Sequence, residues 1–214
     1  MTDYLTEQEQ IDLLKNWIKQ YSFVIILGIA IAMAAIFGWR YYQQRQAKTL
    51  DHASIIYDQM LTMRSQNDTE KTLAQANRLL KRYPQTTYGQ FASLMLARDE
   101  INKNDYTAAE KELRSVMSLS KISSLRQIAR LRLARLLIAK NSPDAALKEL
   151  SQIDDTVFEG LIRETEGDAY LAMKDPVKAR EAYGKALSSL PNADVVRPLL
   201  RMKYDNLATS VEST

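Results

Sequence analysis

An all-α chain, with an apolar N-terminal helix followed by about four helical hairpins, is the fold this sequence predicts, and three observations carry that expectation. Helix breakers are scarce, with 6 Gly and 5 Pro in 214 residues. Ala, Leu, Lys, Arg, Gln and Glu, which lose least on entering a helix, are abundant. An uncharged run extends from Gln20 to Trp39, and beyond it small residues recur on a helical face at Ala76, Ala109, Ala146 and Ala179, intervals of 33, 37 and 33 residues. At 46% apolar composition the chain can bury a core, and its length allows one anchor and one domain of ordinary size.

Residues 1–19 form the first element. Thr6-x-x-Glu9 has the pattern of a capping box, and Ile11, Leu14 and Ile18 follow at helical spacing, which predicts a short amphipathic helix. It can lie on the membrane surface or dock a partner. Residues 20–39 come next. At about 1.5 Å per residue they reach the roughly 30 Å of a bilayer core. Trp17 and Tyr21 stand at one end and Trp39, Arg40, Tyr41 and Tyr42 at the other, where amphipathic rings and cations favour the headgroup region. A cleaved leader is the rival reading. Ala32-Met33-Ala34 suits cleavage, but the apolar run continues through Ile36, Phe37 and Trp39, which favours an uncleaved transmembrane helix in contact with the lipid bilayer.

Positive charge does not orient this helix, because Lys15 and Lys19 on one side face Arg40, Arg45 and Lys48 on the other. A short tail before a large domain predicts the tail in the cytoplasm and the domain outside. The tail to residue 21 has two lysines against Asp3, Glu7, Glu9 and Asp12, net −2, so the rest of a +3 chain carries +5. That excess is too dilute for a nucleic-acid partner.

After a juxtamembrane helical linker at 40–52, residues 53–193 carry the repeat. Leu80, Leu113, Leu150 and Tyr183 each follow a repeated alanine by four positions, on the same helical face. Twelve residues before three of those alanines stand Ala97, Ala134 and Gly167, small enough for two helices to approach closely; the first unit has Arg64 instead. Lys103-Asn104-Asp105, Asn141-Ser142-Pro143-Asp144 and Lys174-Asp175-Pro176 supply the turns, and the polar stretch Ser118–Ser124 predicts a lengthened loop. Gly167, Tyr170, Ala179, Tyr183, Ala186 and Pro191 fall on tetratricopeptide positions, so the units read as a tetratricopeptide-like α-solenoid with a concave surface. Residues 194–214, with Val195, Val196, Leu199, Leu200 and Met202, predict a capping helix and tail.

In that register the concave face takes Phe91, Leu94, Arg98 and Ile101, then Ile128, Leu131, Arg135 and Ile138, then Leu161, Glu164, Asp168 and Leu171. Apolar side chains with two arginines suit an extended polypeptide. No enzyme, cofactor or metal is expected. Cysteine is absent, His52 has no second histidine at ligand spacing, and the glycines are not grouped to cradle phosphate. The acids Asp154-Asp155 and Glu164-x-Glu166 read as solvated helix faces.

Four stretches carry a family resemblance: Gly38-Trp39-Arg40-Tyr41-Tyr42, Thr87-Tyr88-Gly89-Gln90-Phe91-Ala92-Ser93-Leu94, Leu131-Arg132-Leu133-Ala134-Arg135 and Met202-Lys203-Tyr204-Asp205-Asn206-Leu207. With them the chain resembles the YfgM-like ancillary subunits of the bacterial Sec translocon. The resemblance implies a single-pass protein of the bacterial inner membrane, with a cytoplasmic N-terminus and a periplasmic repeat domain. It implies Sec translocon subunits, a membrane-anchored periplasmic chaperone and exported polypeptides as partners, and a cytoplasmic stress-response regulator as a partner of the tail. Two functions stay open at this point, a scaffold at the export channel and a membrane regulator acting through its tail.

Overall fold

The computed structural model describes residues 7–189 and 197–207, and they fall into two compact units, 1–51 and 52–214. Helix α1, Glu7–Ser65, begins in the first unit and ends in the second. Within the first unit the large apolar side chains described from Phe23 to Phe37 are exposed. No single helix among the described residues is long and apolar enough to cross a membrane. Gln10–Val24 and Ile26–Ser65 meet at a bend of 47°, and that pair satisfies length and composition together. The bend falls within the predicted span of 20–39.

In the second unit the C-terminal end of α1 is followed by α2 (Thr69–Arg82), α3 (Thr87–Asn102), α4 (Tyr106–Leu119), α5 (Ser123–Ala139), α6 (Pro143–Leu150), a short 3₁₀ turn (Thr156–Phe158), α7 (Glu159–Ala172), α8 (Pro176–Ser189) and α9 (Pro198–Asn206). Among the described residues there is no strand. Each helix from α2 to α8 packs on the next, and α9 packs on α8. This is an α-solenoid of four hairpins, the first made by the end of α1 with α2 and the last by α7 with α8.

One turn closes all four hairpins. Asn67, Asn104, Asn141 and Lys174 have φ of 57°, 61°, 57° and 61°, the left-handed region that asparagine tolerates better than most side chains. After each, a backbone N–H reaches back to a helix carbonyl: Asp68 to Met63 at 3.0 Å, Asp105 to Glu100 at 2.9 Å, Ser142 to Leu137 at 2.9 Å and Asp175 to Tyr170 at 3.0 Å. Those bonds occupy carbonyls that a helix end leaves without partners. Asp68, Asp105 and Asp175 then accept from the N–H of Lys71, Ala108 and Lys178, so the residue that ends one helix precedes the cap of the next.

The shared turn corrects the alignment of the first unit. Ala109, Ala146 and Ala179 lie five residues past their turn residue, and the residue five past Asn67 is Thr72, not Ala76. Met60 likewise takes the place of Ala97, Ala134 and Gly167, and Arg64 lies one turn further on. A slip of four residues keeps the same helical face, so Thr72 and Ala76 are both buried and periodicity alone cannot separate them. Nor is the 118–124 stretch a long loop. Helix α4 runs to Leu119 and only residues 120–122 intervene before α5, whereas the extended connection is 151–158, after the eight-residue α6.

The core falls into three clusters along the hairpins. Ala53, Ile56 and Met60 of α1 pack with Ala76, Leu79, Ala92 and Leu96; a larger cluster around Leu113, Leu133 and Leu150 joins α3 to α6. Each of those three leucines is fully buried, worth roughly 1.5–3 kcal/mol against exposure. Ala179, Tyr183 and Ala186 enclose Leu200 of α9, while Leu199 and Met202 stay exposed and Val195 and Val196 lie outside the described residues.

Candidate protein-binding face

The first helices of the hairpins carry the residues predicted for the concave face. Phe91, Ile101, Ile128 and Ile138 are half-buried, Leu94 and Leu131 are 7% and 5% exposed, and Arg98 and Arg135 are exposed. Phe91 lies against Tyr57 of α1 with ring centroids 6.1 Å apart. Leu94 and Leu131 belong to the buried core, and the two arginines are exposed.

Leu94, Arg98, Ile101 and Arg135 come together around one cleft of about 260 Å³ between α3 and α5, floored also by Leu113 and Leu136. A third arginine, Arg132, completes the rim. Burial, then the charges of Arg135 and Arg98, hold its pKa below the usual arginine value. The sequence signal was its place three residues before Arg135, which puts both on one side of α5. Arg135 Nε donates to the Thr165 hydroxyl at 3.3 Å. Arg98 and Arg132 form no ion pair or hydrogen bond among the described residues.

Glu164 and Asp168 are not brought into that cleft. Glu164 is 7% exposed and pairs with Arg197, with Lys203 Nζ of α9 also 3.7 Å away. Asp168 accepts from the Tyr183 hydroxyl at 2.7 Å and from Lys203 at 2.6 Å. Burial and the hydrogen bond to Asp168 push the Tyr183 pKa far up, so the phenol stays a donor. Both acids pair with cations of the C-terminal segment.

Elsewhere, Arg64 donates to both oxygens of Asp99 at 2.7 and 2.8 Å, tying α1 to α3. Glu110 pairs with Arg114 and Lys140, and Glu149 with Arg114 and Arg130. His52 is exposed, beside Arg78 and Arg82. Among the described residues no three His, Cys, Asp or Glu side chains are grouped to hold a metal. Trp17, Tyr21, Trp39, Arg40, Tyr41 and Tyr42 are all exposed, with the tilted ring pairs Trp17–Tyr21 and Trp39–Tyr42 at centroid distances of 5.5 Å and 6.5 Å.

Hairpins closed by one repeated turn, with a lined cleft between successive first helices, define a helical-repeat scaffold. Residues 15–209 match the family model described as a tetratricopeptide repeat-like domain. A protein of Neisseria gonorrhoeae is 30% identical across 97% of this chain and all of its own length, one of Haemophilus influenzae 29% across 95% and 98%, and one of Escherichia coli 26% across 97% and 100%. Each is named "Ancillary SecYEG translocon subunit". The chain belongs to this tetratricopeptide-like family of YfgM-like ancillary translocon subunits, an interaction scaffold rather than an enzyme family.

Proposed function

We propose that this protein is a membrane-tethered accessory subunit of the Sec translocon whose repeat domain holds a periplasmic chaperone, exported polypeptides, or both. The observation that carries this reading is the end-to-end similarity to translocon subunits, which covers the apolar segment as well as the repeats. In this arrangement residues 20–39 cross the inner membrane once, the tail is cytoplasmic and the repeats are periplasmic. Exposed apolar side chains along that segment and aromatic pairs at both of its ends support the tether. Tethering itself raises the local concentration of a weak site to about the mM range, so modest affinity suffices.

Photo-crosslinking in intact membranes tests this, with one probe at position 41 and another at position 98. Translocon subunits captured from 41, with a periplasmic chaperone or exported chain captured from 98, are the expected products. Capture of cytoplasmic proteins alone from 98 would invert the topology and overturn the assignment.

A further inference from the structure

The α3–α5 cleft holds three positive charges that nothing in the described chain answers. Asp99, the acid beside Arg98, gives both oxygens to Arg64, and Glu100 is taken by Lys103. The acids Glu110 and Glu149 are each shared by two cations elsewhere. Arg135 reaches only a neutral hydroxyl. Three like charges gathered over an apolar floor repel one another, and a bound anion would relieve that repulsion.

The last hairpin shows the same geometry with polarity reversed and the partner in place. Counting six residues back from each turn residue finds Arg98, Arg135 and Asp168; counting ten finds Leu94, Leu131 and Glu164. Where the position is acidic, a basic segment, Arg197 to Lys203, sits on it with Leu200 buried beside the ion pairs.

We propose that the cleft docks an extended polypeptide segment in which a carboxylate is flanked by aliphatic side chains. The carboxylate lies among Arg98, Arg132 and Arg135, whose planar forks match its two oxygens. A neighbouring aliphatic side chain lies on Leu94 and Leu136. The cleft, at about 260 Å³, is smaller than the roughly 300–1,000 Å³ of small-molecule sites and suits one or two side chains of a longer chain. Its floor is aliphatic, with none of the aromatic platforms on which bases stack. This inference rests on the reading of the repeats as a polypeptide-binding domain.

The test uses the full chain in detergent and two labelled peptides followed by fluorescence anisotropy, one alternating leucine with glutamate and a twin with glutamine for glutamate. The glutamate peptide is expected to bind about tenfold more tightly or better, a factor equivalent to about 1.4 kcal/mol. Raising the salt should shrink that preference. The combined Arg98→Met, Arg132→Met, Arg135→Met variant should lose it while its circular dichroism is unchanged; if that variant misfolds, Arg132→Met alone should reduce the preference. Equal affinity for the two peptides, or a full preference in the folded variants, overturns the proposal. So does tight arginine-dependent binding of anionic lipid vesicles that the glutamate peptide does not displace. Crosslinking from position 41 in the same variants separates the two readings: if the translocon is still captured but the native chain shows no peptide preference, only this inference falls, whereas loss of capture in the native chain removes the translocon assignment.

Discussion

Gly167→Ala is a one-carbon test of how the last hairpin is closed. A Cβ at position 167 would overlap Cδ1 and Cε1 of the Tyr183 ring and stand 2.9 Å from Cζ. The ring cannot swing aside, because it is fully buried and its hydroxyl is fixed to Asp168. Helices α7 and α8 must therefore move apart. Overpacking of this kind costs about 1–3 kcal/mol, and the pinned ring places this site near the upper end. Alanine recovers about 1 kcal/mol through its helix propensity, leaving a net loss of about 2 kcal/mol. For a chain of this length that lowers Tm by about 4–8 °C. Thermal circular dichroism of the full chain in detergent reads the shift, and hydrogen exchange should localise it to α7 and α8. Gly184→Ala is the control, since its Cβ would meet only the half-buried Tyr204 ring, 3.2 Å away. An unchanged or raised Tm for Gly167→Ala would refute this account of the helix crossing.

Other consequences follow from single residues. Lys174→Gly should stabilise the protein by up to about 1 kcal/mol, read as a raised Tm, because the other turns use asparagine at the left-handed position and lysine is the strained exception. Asp99 has its pKa held below the usual aspartate value, chiefly by the hydrogen bond from Arg64. Its contribution is therefore present above about pH 4 and lost as pH falls from there through the folded-state value, so denaturant melts of native protein and Asp99→Asn should converge in acid. Arg197→Met leaves the buried Glu164 with only Lys203, and α9 should then become the first segment cut in limited proteolysis.

The fold class was legible because composition and small-residue spacing report on helices and their crossings. Ala109, Ala146 and Ala179 are each fully buried, and Ala97, Ala134 and Gly167 each lie at a helix crossing. The register of the first unit was not, because a shift of one helical turn preserves the buried face; the asparagines at 67, 104 and 141 would have resolved it. The cleft was legible in part. Arg98 and Arg135 share a repeat position, but Arg132 has Met95 and Thr165 at its equivalents, so only packing reveals that it joins them. The part Glu164 and Asp168 play in holding α9 was not legible, because Arg197 and Lys203 lie 33 and 35 residues away from them in sequence.

That same exchange of partners explains how one repeat position can serve two purposes. At the end of an array the last first-helix has no following hairpin, and an apolar or basic inner surface there would be left open to solvent. Acids at 164 and 168 draw α9 back across it through Arg197 and Lys203, and Leu200 completes the core. In the middle units the positions hold leucine, packed into the core at Leu94 and Leu131, and arginine, exposed at Arg98 and Arg135. Charge along the first helices is thus satisfied internally at the terminus and left over in the centre. A second chain approaching the α3–α5 cleft would meet Arg98, Arg132 and Arg135 there beside Leu113 and Leu136.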